Sequence, residues 1–169
     1  MSEITGTNRL QSLTGARSKS YSYDAAGNMI SDGVATWTYG GNGRASQVVV
    51  GGVTVQFDIN SLGQRVRKSS SAGTTRFMYD EAGHLIGEYA DDGTLIEETV
   101  WLGELPVAVV RPDAAGLYYV HPDHLGTPRM ITRPSDNAIV WRWDNTEPFG
   151  NAQPNQDPSG LGSFAYNLR

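Results

Sequence analysis

The chain of 169 residues contains no cysteine. Disulfide bonds, thiolate catalysis and cysteine-ligated zinc sites are therefore excluded, although such a chain is compatible with oxidising and reducing compartments alike. Charged side chains are also scarce, at 18%, and the net charge at pH 7 is −5. Proteins that bind nucleic acids electrostatically carry a basic patch, and the sequence contains no basic stripe. We therefore expect no nucleic-acid partner.

Long apolar runs are missing as well. No run approaches the ~18 residues that indicate a membrane helix, and the start of the chain, from Met1 to Ile4, has neither the basic nor the apolar region of a signal peptide. We expect no membrane span, and any export must use another route. Helical spacing is sustained nowhere, whereas 20 glycines supply frequent turns. The composition predicts an all-β fold of many short antiparallel strands.

A repeat stands out in what the sequence does contain. An aromatic residue, any residue and a tyrosine, followed by glycine four residues on, occur at residues 21–29 (YSYDAAGNM), 37–45 (WTYGGNGRA) and 77–85 (FMYDEAGHL). Looser copies are found at residues 55–66, where a two-residue insertion is inferred, and at 89–95; residues 6–10 resemble the back half of a repeat. The chain therefore begins, by this interpretation, inside an array.

The spacing within the repeat predicts a hairpin. Aromatic side chains at i and i+2 project from the same face of a strand, and the following aspartate and glycine suit a tight turn, because aspartate can accept backbone hydrogen bonds and glycine tolerates a positive φ. Since one hairpin cannot bury its own apolar face, neighbouring hairpins must stack into a curved sheet. The residues assigned structural roles by this pattern are Tyr23, Asp24, Gly27, Tyr39, Gly43, Tyr79, Asp80 and Gly83.

The aromatic side chains have two interpretations. Core packing is favoured, because periodic aromatics in strands usually fill a sheet face; stacking on sugars is the alternative. Core packing predicts that Tyr23, Tyr39, Tyr79 and Trp143 are buried on one face.

A second motif, residues 118–129 (YYVHPDHLGTPR), forms a shaped turn, because each proline fixes φ and removes a hydrogen-bond donor. His121, Asp123 and His124 could be metal ligands or acid–base groups. However, Pro122 interrupts the strand that would align them, so side chains that hydrogen-bond the turn are favoured. The Asp91-Asp92-Gly93 run lacks the further oxygens of a calcium loop. Neither a nucleophile elbow nor a phosphate loop is present. We predict no enzymatic activity, no metal and no cofactor.

The order of these motifs resembles that of RHS (rearrangement hotspot) or YD-repeat proteins, in particular the RHS repeat-associated core region of bacterial polymorphic toxins. Tyr-Asp repeats are followed by residues 121–128 (HPDHLGTP), by Trp143-Asp144 through to Pro148-Phe149-Gly150, and by residues 164–169 (FAYNLR). The resemblance divides the chain into a repeat array, residues 1–112, and the start of the core region, residues 113–169, continuous with the same sheet. It adds Leu125, Gly126, Phe149 and Gly150 to the structural positions.

In that family the repeats wind into a hollow β-shell that encloses a C-terminal toxin used in competition between bacteria. The resemblance implies a structural scaffold whose partners are the remainder of a shell and a toxin domain, exported to the cell surface or medium by a specialised bacterial route. The alternative is a cell-surface adhesion or carbohydrate-binding module. Part of a shell would leave strand edges open, so we expect self-association, above all through residues 6–13, whose only charge is Arg9.

Residues 157–161 (DPSGL) match the letters of the motif at which RHS proteins cleave themselves. In the family that motif lies downstream of the Asn-Leu-Arg segment, whereas here it precedes residues 167–169. Aspartyl cleavage also needs a second carboxylate held nearby with a shifted pKa. We therefore predict that residues 157–161 form a β-turn and are not cleaved.

Overall fold

The computed structural model describes residues 1–16, 18–113, 115–144, 146 and 152–168, and it is all-β. None of these residues is helical, and the described part of the chain thus offers no helix with the length and apolarity that crossing a membrane would require. The sixteen strands are β1 Ser2–Glu3, β2 Leu10–Leu13, β3 Lys19–Ser20, β4 Ser22–Tyr23, β5 Met29–Ser31, β6 Ala35–Tyr39, β7 Ala45–Val50, β8 Val53–Ile59, β9 Arg65–Ser70, β10 Gly73–Tyr79, β11 Leu85–Ala90, β12 Leu95–Leu102, β13 Leu105–Val110, β14 Leu117–Pro122, β15 Pro128–Thr132 and β16 Ile139–Arg142.

The strands pair in chain order. Strands β1 to β3 form one small sheet, and β4 to β16 form a sheet in which each strand lies beside the strand that precedes it in the sequence. The registered pairs are antiparallel. The predicted all-β array of short antiparallel hairpins is confirmed.

One open-edge prediction is wrong. Residues 6–13 were expected to present an unpaired strand, but β2 pairs with β1 on one side and with β3 on the other. The side chain of Tyr23 and the backbone N–H of Tyr21 also donate to carbonyl groups of β2, at 2.9 Å in both cases. The short flanking strands were missed because each has only two residues and no alternating pattern. Self-association itself stays a prediction.

Six hairpin turns share one hydrogen-bond pattern. The first residue of each turn donates its N–H to the carbonyl of the residue four positions on, and the glycine three positions on donates back to the carbonyl of the first residue, at 2.8–3.1 Å. The six glycines have φ between 71° and 98°. A β-turn closed by a glycine in the left-handed region, with a local bulge, is a favoured hairpin connection. The turns begin at Asp24, Gly40, Asn60, Asp80, Ala90 and Asp123.

This geometry corrects one repeat boundary and joins two motifs. The copy near residue 60 has no two-residue insertion, because its turn begins at Asn60 and closes at Gly63. The sequence interpretation anchored that copy on Asp58, which lies in strand β8. The turn from Asp123 to Gly126 has the same bonds, so the core motif contains one more copy of the repeat turn.

The chain divides into two compact units, residues 1–76 and residues 77–169. In the first unit, Asp32 and Ala35 are the only described residues with less than a tenth of their surface exposed. Its aromatic pairs do share one face: Trp37 and Tyr39 are half-buried, whereas the alternating Thr36 and Thr38 are exposed. Packing divides the chain at residue 76, and the division at residue 112 by motif stays a prediction.

The second unit contains the core. This cluster of buried apolar side chains comes from the last four strands, from Trp143 just after β16, and from residues 164–168, which lie over them. The cluster comprises Val109, Tyr118, Val120, Ile131, Val140, Trp141, Trp143, Phe164 and Tyr166, with Leu168 packed against it.

The predicted burial of the repeat tyrosines is wrong in degree. Trp143 is buried as expected, but Tyr23, Tyr39 and Tyr79 are half-buried. For the first two, the physical reason is that the described residues of the first unit place no second layer over the aromatic face. A sheet face covered by nothing but its own side chains leaves part of each ring in water.

Gly43 tests the turn geometry. It has φ +71° and open space where the methyl group of an alanine would lie, whereas Gly41 in the same turn has equally open space and no positive φ. We expect Gly43→Ala to lower the free energy of unfolding by about 1–2 kcal/mol, the cost of left-handed backbone for an L-residue. Gly41→Ala should be neutral or slightly stabilising. Urea unfolding measures both, and equal effects would contradict the shared turn geometry.

Candidate functional site

Two of the repeat tyrosines connect strands through hydrogen bonds from their hydroxyl groups to backbone carbonyls. The hydroxyl of Tyr23 donates to the carbonyl of Leu10, and that of Tyr39 donates to the carbonyl of Met29, each at 2.9 Å. A tyrosine placed this way covers apolar surface with its ring and satisfies an upstream carbonyl with its polar end. A half-buried ring is compatible with this role, because the role requires only that the hydroxyl reach a backbone carbonyl.

The first residue of the turn reinforces the backbone bonds when it is an aspartate or, at Asn60, an asparagine. Asp24 accepts from both the backbone N–H and the side-chain amide of Asn28, at 2.8 Å each, and the Asn28 amide holds the pKa of Asp24 below its usual range. Asp123 accepts from the N–H groups of Leu125 and Thr127 at 2.9 and 3.1 Å. Gly27, Gly43, Gly83 and Gly126 close the corresponding turns. The predicted aspartates and glycines thus lie in turns and the repeat tyrosines in the strands before them, distributed along the sheet.

His84 links two hairpins. Its Nδ1 lies 2.8 Å from Asp80 in its own turn, and its Nε2 lies 3.0 Å from Glu104, in the connection between β12 and β13. Its ring stacks on Trp101 with 4.5 Å between centroids, and Trp101 donates to the carbonyl of Leu85 at 3.1 Å. The hydrogen bond to Glu104, followed by that to Asp80, raises the pKa of His84. The sequence interpretation did not assign His84 a role, because Glu104 is twenty residues away.

The three candidate ligands of the core motif do not converge. His121 hydrogen-bonds Thr132 through Nε2 at 2.9 Å, Asp123 holds its turn and accepts from Arg129 at 2.8 Å, and His124 is exposed. Within the ranges that the structure describes, no group of three or more His, Asp or Glu side chains could hold a metal ion.

The end of the core motif ties to residues further along. The Arg129 guanidinium lies 4.9 Å from the ring of Trp143, whose indole nitrogen donates to the carbonyl of Ala152 at 2.9 Å. Phe149 and Gly150, the other predicted positions here, lie outside the described residues. Asp157 accepts from the N–H groups of Leu161 and Gly162 at 2.6 and 3.1 Å, so its carboxylate is engaged in the turn. Absence of cleavage at that turn stays a prediction.

A buried charged cluster lies under residues 164–168. Glu88 of β11 is opposite Glu97 of β12 in the sheet, and the two are only 5% and 4% exposed. Arg111, just after β13, donates through Nη2 to Glu97 and to the carbonyl of Ala165. Burial raises the pKa of Glu97, and the neighbouring Arg111 charge opposes that rise. The cluster thus contains two buried carboxylates and one guanidinium whose side chain is 17% exposed.

Aromatic contacts cover this cluster. The guanidinium carbon of Arg111 lies 3.7 Å from the centre of the Phe164 ring, and Phe164 meets Tyr118 edge-on at 4.8 Å. Tyr166 meets Trp141 edge-on at 5.5 Å. Sequence reasoning did not identify the face of β12 that carries Glu97 and Thr99 as a buried face. The missing signal is tertiary, because the covering residues lie more than fifty positions away.

Comparison with protein-family models and with curated proteins found no match to this chain. The functional interpretation therefore rests on the residues themselves. Among those described, the polar side chains mainly hold turns, strands and the 164–168 segment in place.

The His84 contacts predict a pH-dependent contribution to stability. Because the pKa of His84 is higher in the folded protein than the ordinary value of 6.5, its contribution is complete below about pH 6.5 and is lost as pH rises through the folded pKa. Glu104→Gln should lower the melting temperature most at acidic pH and least at alkaline pH. Glu81→Gln removes the same charge from an exposed residue in the turn and serves as control. Parallel pH profiles for both variants would contradict the link.

The buried cluster predicts that loss of its cation is costly. Arg111→Met leaves the Glu97 and Glu88 carboxyl groups without it, and removing one partner of a buried ion pair typically costs about 3–5 kcal/mol. Because the folded pKa of Glu97 is already raised, acidification should restore part of the loss by protonating it. Arg142→Met breaks an exposed pair with Asp144 and should cost at most about 1 kcal/mol. Denaturant unfolding at two pH values tests this, and a pH-independent loss would refute it.

Proposed function

We propose that this chain is a structural scaffold, a segment of an RHS-type repeat shell that encloses a C-terminal toxin and helps to deliver it. The observation that carries the proposal is the repeated turn: six hairpin connections have the same two backbone hydrogen bonds and a glycine of positive φ, in strands that pair in chain order. Arrays of this kind grow by adding one unit to the last. One of the six turns belongs to the core motif, which supports the proposal that this motif is part of the same repeat sheet.

The side chains support a mechanical role. Tyr23 and Tyr39 bind the carbonyl groups of preceding strands, and His84 joins the turn at Asp80 to the connection at Glu104. Contacts of this kind resist separation of neighbouring hairpins. A wall built from them can exclude water and protease from one side without any chemistry of its own.

Protection of a cargo domain is the test. The gene is read beyond the codon for Arg169, the complete protein is expressed, and its C-terminal domain is exposed to protease with and without the repeat region. We expect a domain that is resistant only when the repeats are present. Tyr39→Ala should increase its cleavage, whereas Tyr119→Ala, which removes an exposed ring, should not. A reading frame without a further domain, or a domain that is cleaved equally fast in both forms, would reject the scaffold proposal.

A carbohydrate-binding or adhesion module is the second candidate, and one observation favours it. Tyr119 is 46% exposed and lies opposite Ala108 on the neighbouring strand. Ala108 lies opposite Val100 on the strand beyond, and Val100 is 43% exposed. An exposed aromatic ring beside aliphatic side chains is a surface on which sugars can stack. A glycan array probed with the wild-type chain and with Tyr119→Ala tests this candidate. Binding that Tyr119→Ala abolishes would support it, and the absence of any bound glycan would remove it.

A further inference from the structure

Residues 164–168 lie on the second unit in the manner of a bound peptide. Phe164 and Tyr166 are 6% and 3% exposed and Leu168 packs against the same cluster, whereas Ala165 and Asn167 between them are exposed. Burial of every second residue is the pattern of an extended segment whose alternate side chains enter pockets. The segment therefore has a recognition sequence, Phe-x-Tyr-x-Leu.

The pockets that receive the segment are built from the sheet. Phe164 lies between the guanidinium of Arg111 and the ring of Tyr118, and Tyr166 lies against Trp141. Trp141 is fully buried and Tyr118 nearly so, which means that both are held from several sides. These pockets belong to strands β14 and β16 and to the end of β13.

Polar groups of the sheet contact one backbone carbonyl and one side chain of the segment. Arg111 Nη2 donates to the carbonyl of Ala165 and is itself fixed by the buried Glu97. The Asn167 amide lies 3.5 Å from Glu88. A carbonyl bonded to a guanidinium that is fixed in this way favours one position of the segment along the groove.

The connection that leads to the segment is an exposed loop with its own hydrogen bonds: Asp157 accepts from Leu161 and Gly162, and Ser163 donates to the side chain of Gln156 at 3.1 Å. Residues 159–163 are exposed, and Gly160 and Gly162 have φ of +67° and +104°. Of the described residues 164–168, only Phe164 makes a backbone-to-backbone hydrogen bond, to Gln156 at 2.7 Å. Side-chain pockets and Arg111 thus account for most of the described contacts of residues 164–168, and a copy of the segment without this loop keeps those contacts.

We propose that this groove is a peptide-binding site for the Phe-x-Tyr-x-Leu sequence and that it accepts residues 164–168 of a second copy of the chain as well as its own. The second copy is the partner whose complementarity the structure displays, because its segment is identical. Linkage to the same chain raises the effective concentration of the chain's own segment, so exchange is favoured when that segment is weakened or released. The interaction requires neither a shell nor a toxin and is independent of the scaffold proposal.

The first test uses the 169-residue chain with Phe164→Ala/Tyr166→Ala and a fluorescent synthetic peptide of residues 162–168 (GSFAYNL). We expect saturable binding by the variant, with a Kd at least about tenfold lower than that of wild type, whose own segment competes. A peptide in which both aromatics are alanine is the matched control and should not bind. Adding Arg111→Gln to the variant should weaken binding about tenfold. A variant that keeps its β-sheet circular dichroism but does not bind the peptide overturns the proposal.

A second test covers the case in which that variant does not fold. A protease recognition sequence is inserted between Ser159 and Gly160 of the otherwise unchanged chain, and the purified protein is cut there. The cut segment should remain associated during gel filtration, and excess labelled peptide should replace it. The alanine control peptide should not. A cut segment that is lost at once, or a groove that never takes up labelled peptide, contradicts the proposal.

Discussion

A sheet that is one layer thick cannot bury its own apolar face, and this constraint governs both units. The described residues of the first unit form no second layer, so its aromatic rings stay half-buried. Hydrogen bonds at turns and between strands hold this unit together. In the second unit, residues 164–168 act as the second layer: they lie over the last strands and complete a core around Trp141. Hydrophobic burial, the main driving force of folding, is thus concentrated in the second unit.

The turns explain how one hairpin design tolerates a varying sequence. The first turn position holds aspartate in some copies and Gly40, Asn60 or Ala90 in others, yet the two backbone bonds are the same. An aspartate side chain, or that of Asn60, adds bonds where it is present, but backbone groups close the turn. Glycine three residues on is the fixed requirement, since its φ lies in the left-handed region at every copy. The repeat is therefore better defined by its glycine than by its Tyr-Asp letters.

This distinction decides how far the sequence could predict the fold. Local patterns, the i, i+2 aromatics and the glycine spacing, predicted the hairpin array, because they depend on residues a few positions apart. The copy at Asn60 was misaligned because asparagine replaced the expected aspartate there, while Asp58 nearby offered the familiar letter. The degree of burial was predicted correctly for Trp143 but not for Tyr23, Tyr39 and Tyr79, since it depends on whether a second layer exists.

The sequence interpretation missed the buried charged residues for the same reason, because their burial also depends on a second layer. Glu97 is next to Glu98 and two residues before Thr99 in β12, a polar stretch that suggests a solvent-facing part of the strand. Arg111 follows β13 in a Pro-containing connection, which suggests a surface loop. Their burial comes from residues 164–168, and no local pattern in either stretch reports a segment so distant in the sequence.

Burying this cluster has a consequence for specificity that burying apolar residues would not have. An ion pair taken out of water gains little net stability, because the desolvation of both charges offsets their attraction. Its geometry, however, is demanding: the Arg111 guanidinium must meet Glu97, the carbonyl of Ala165 and the ring of Phe164 together. If the segment were shifted by one residue, the side chains of Ala165 and Asn167 would face the pockets, and the carbonyl of Ala165 would move away from Arg111. The cluster therefore fixes the register of the covering segment, while Phe164 and Tyr166 supply most of its burial.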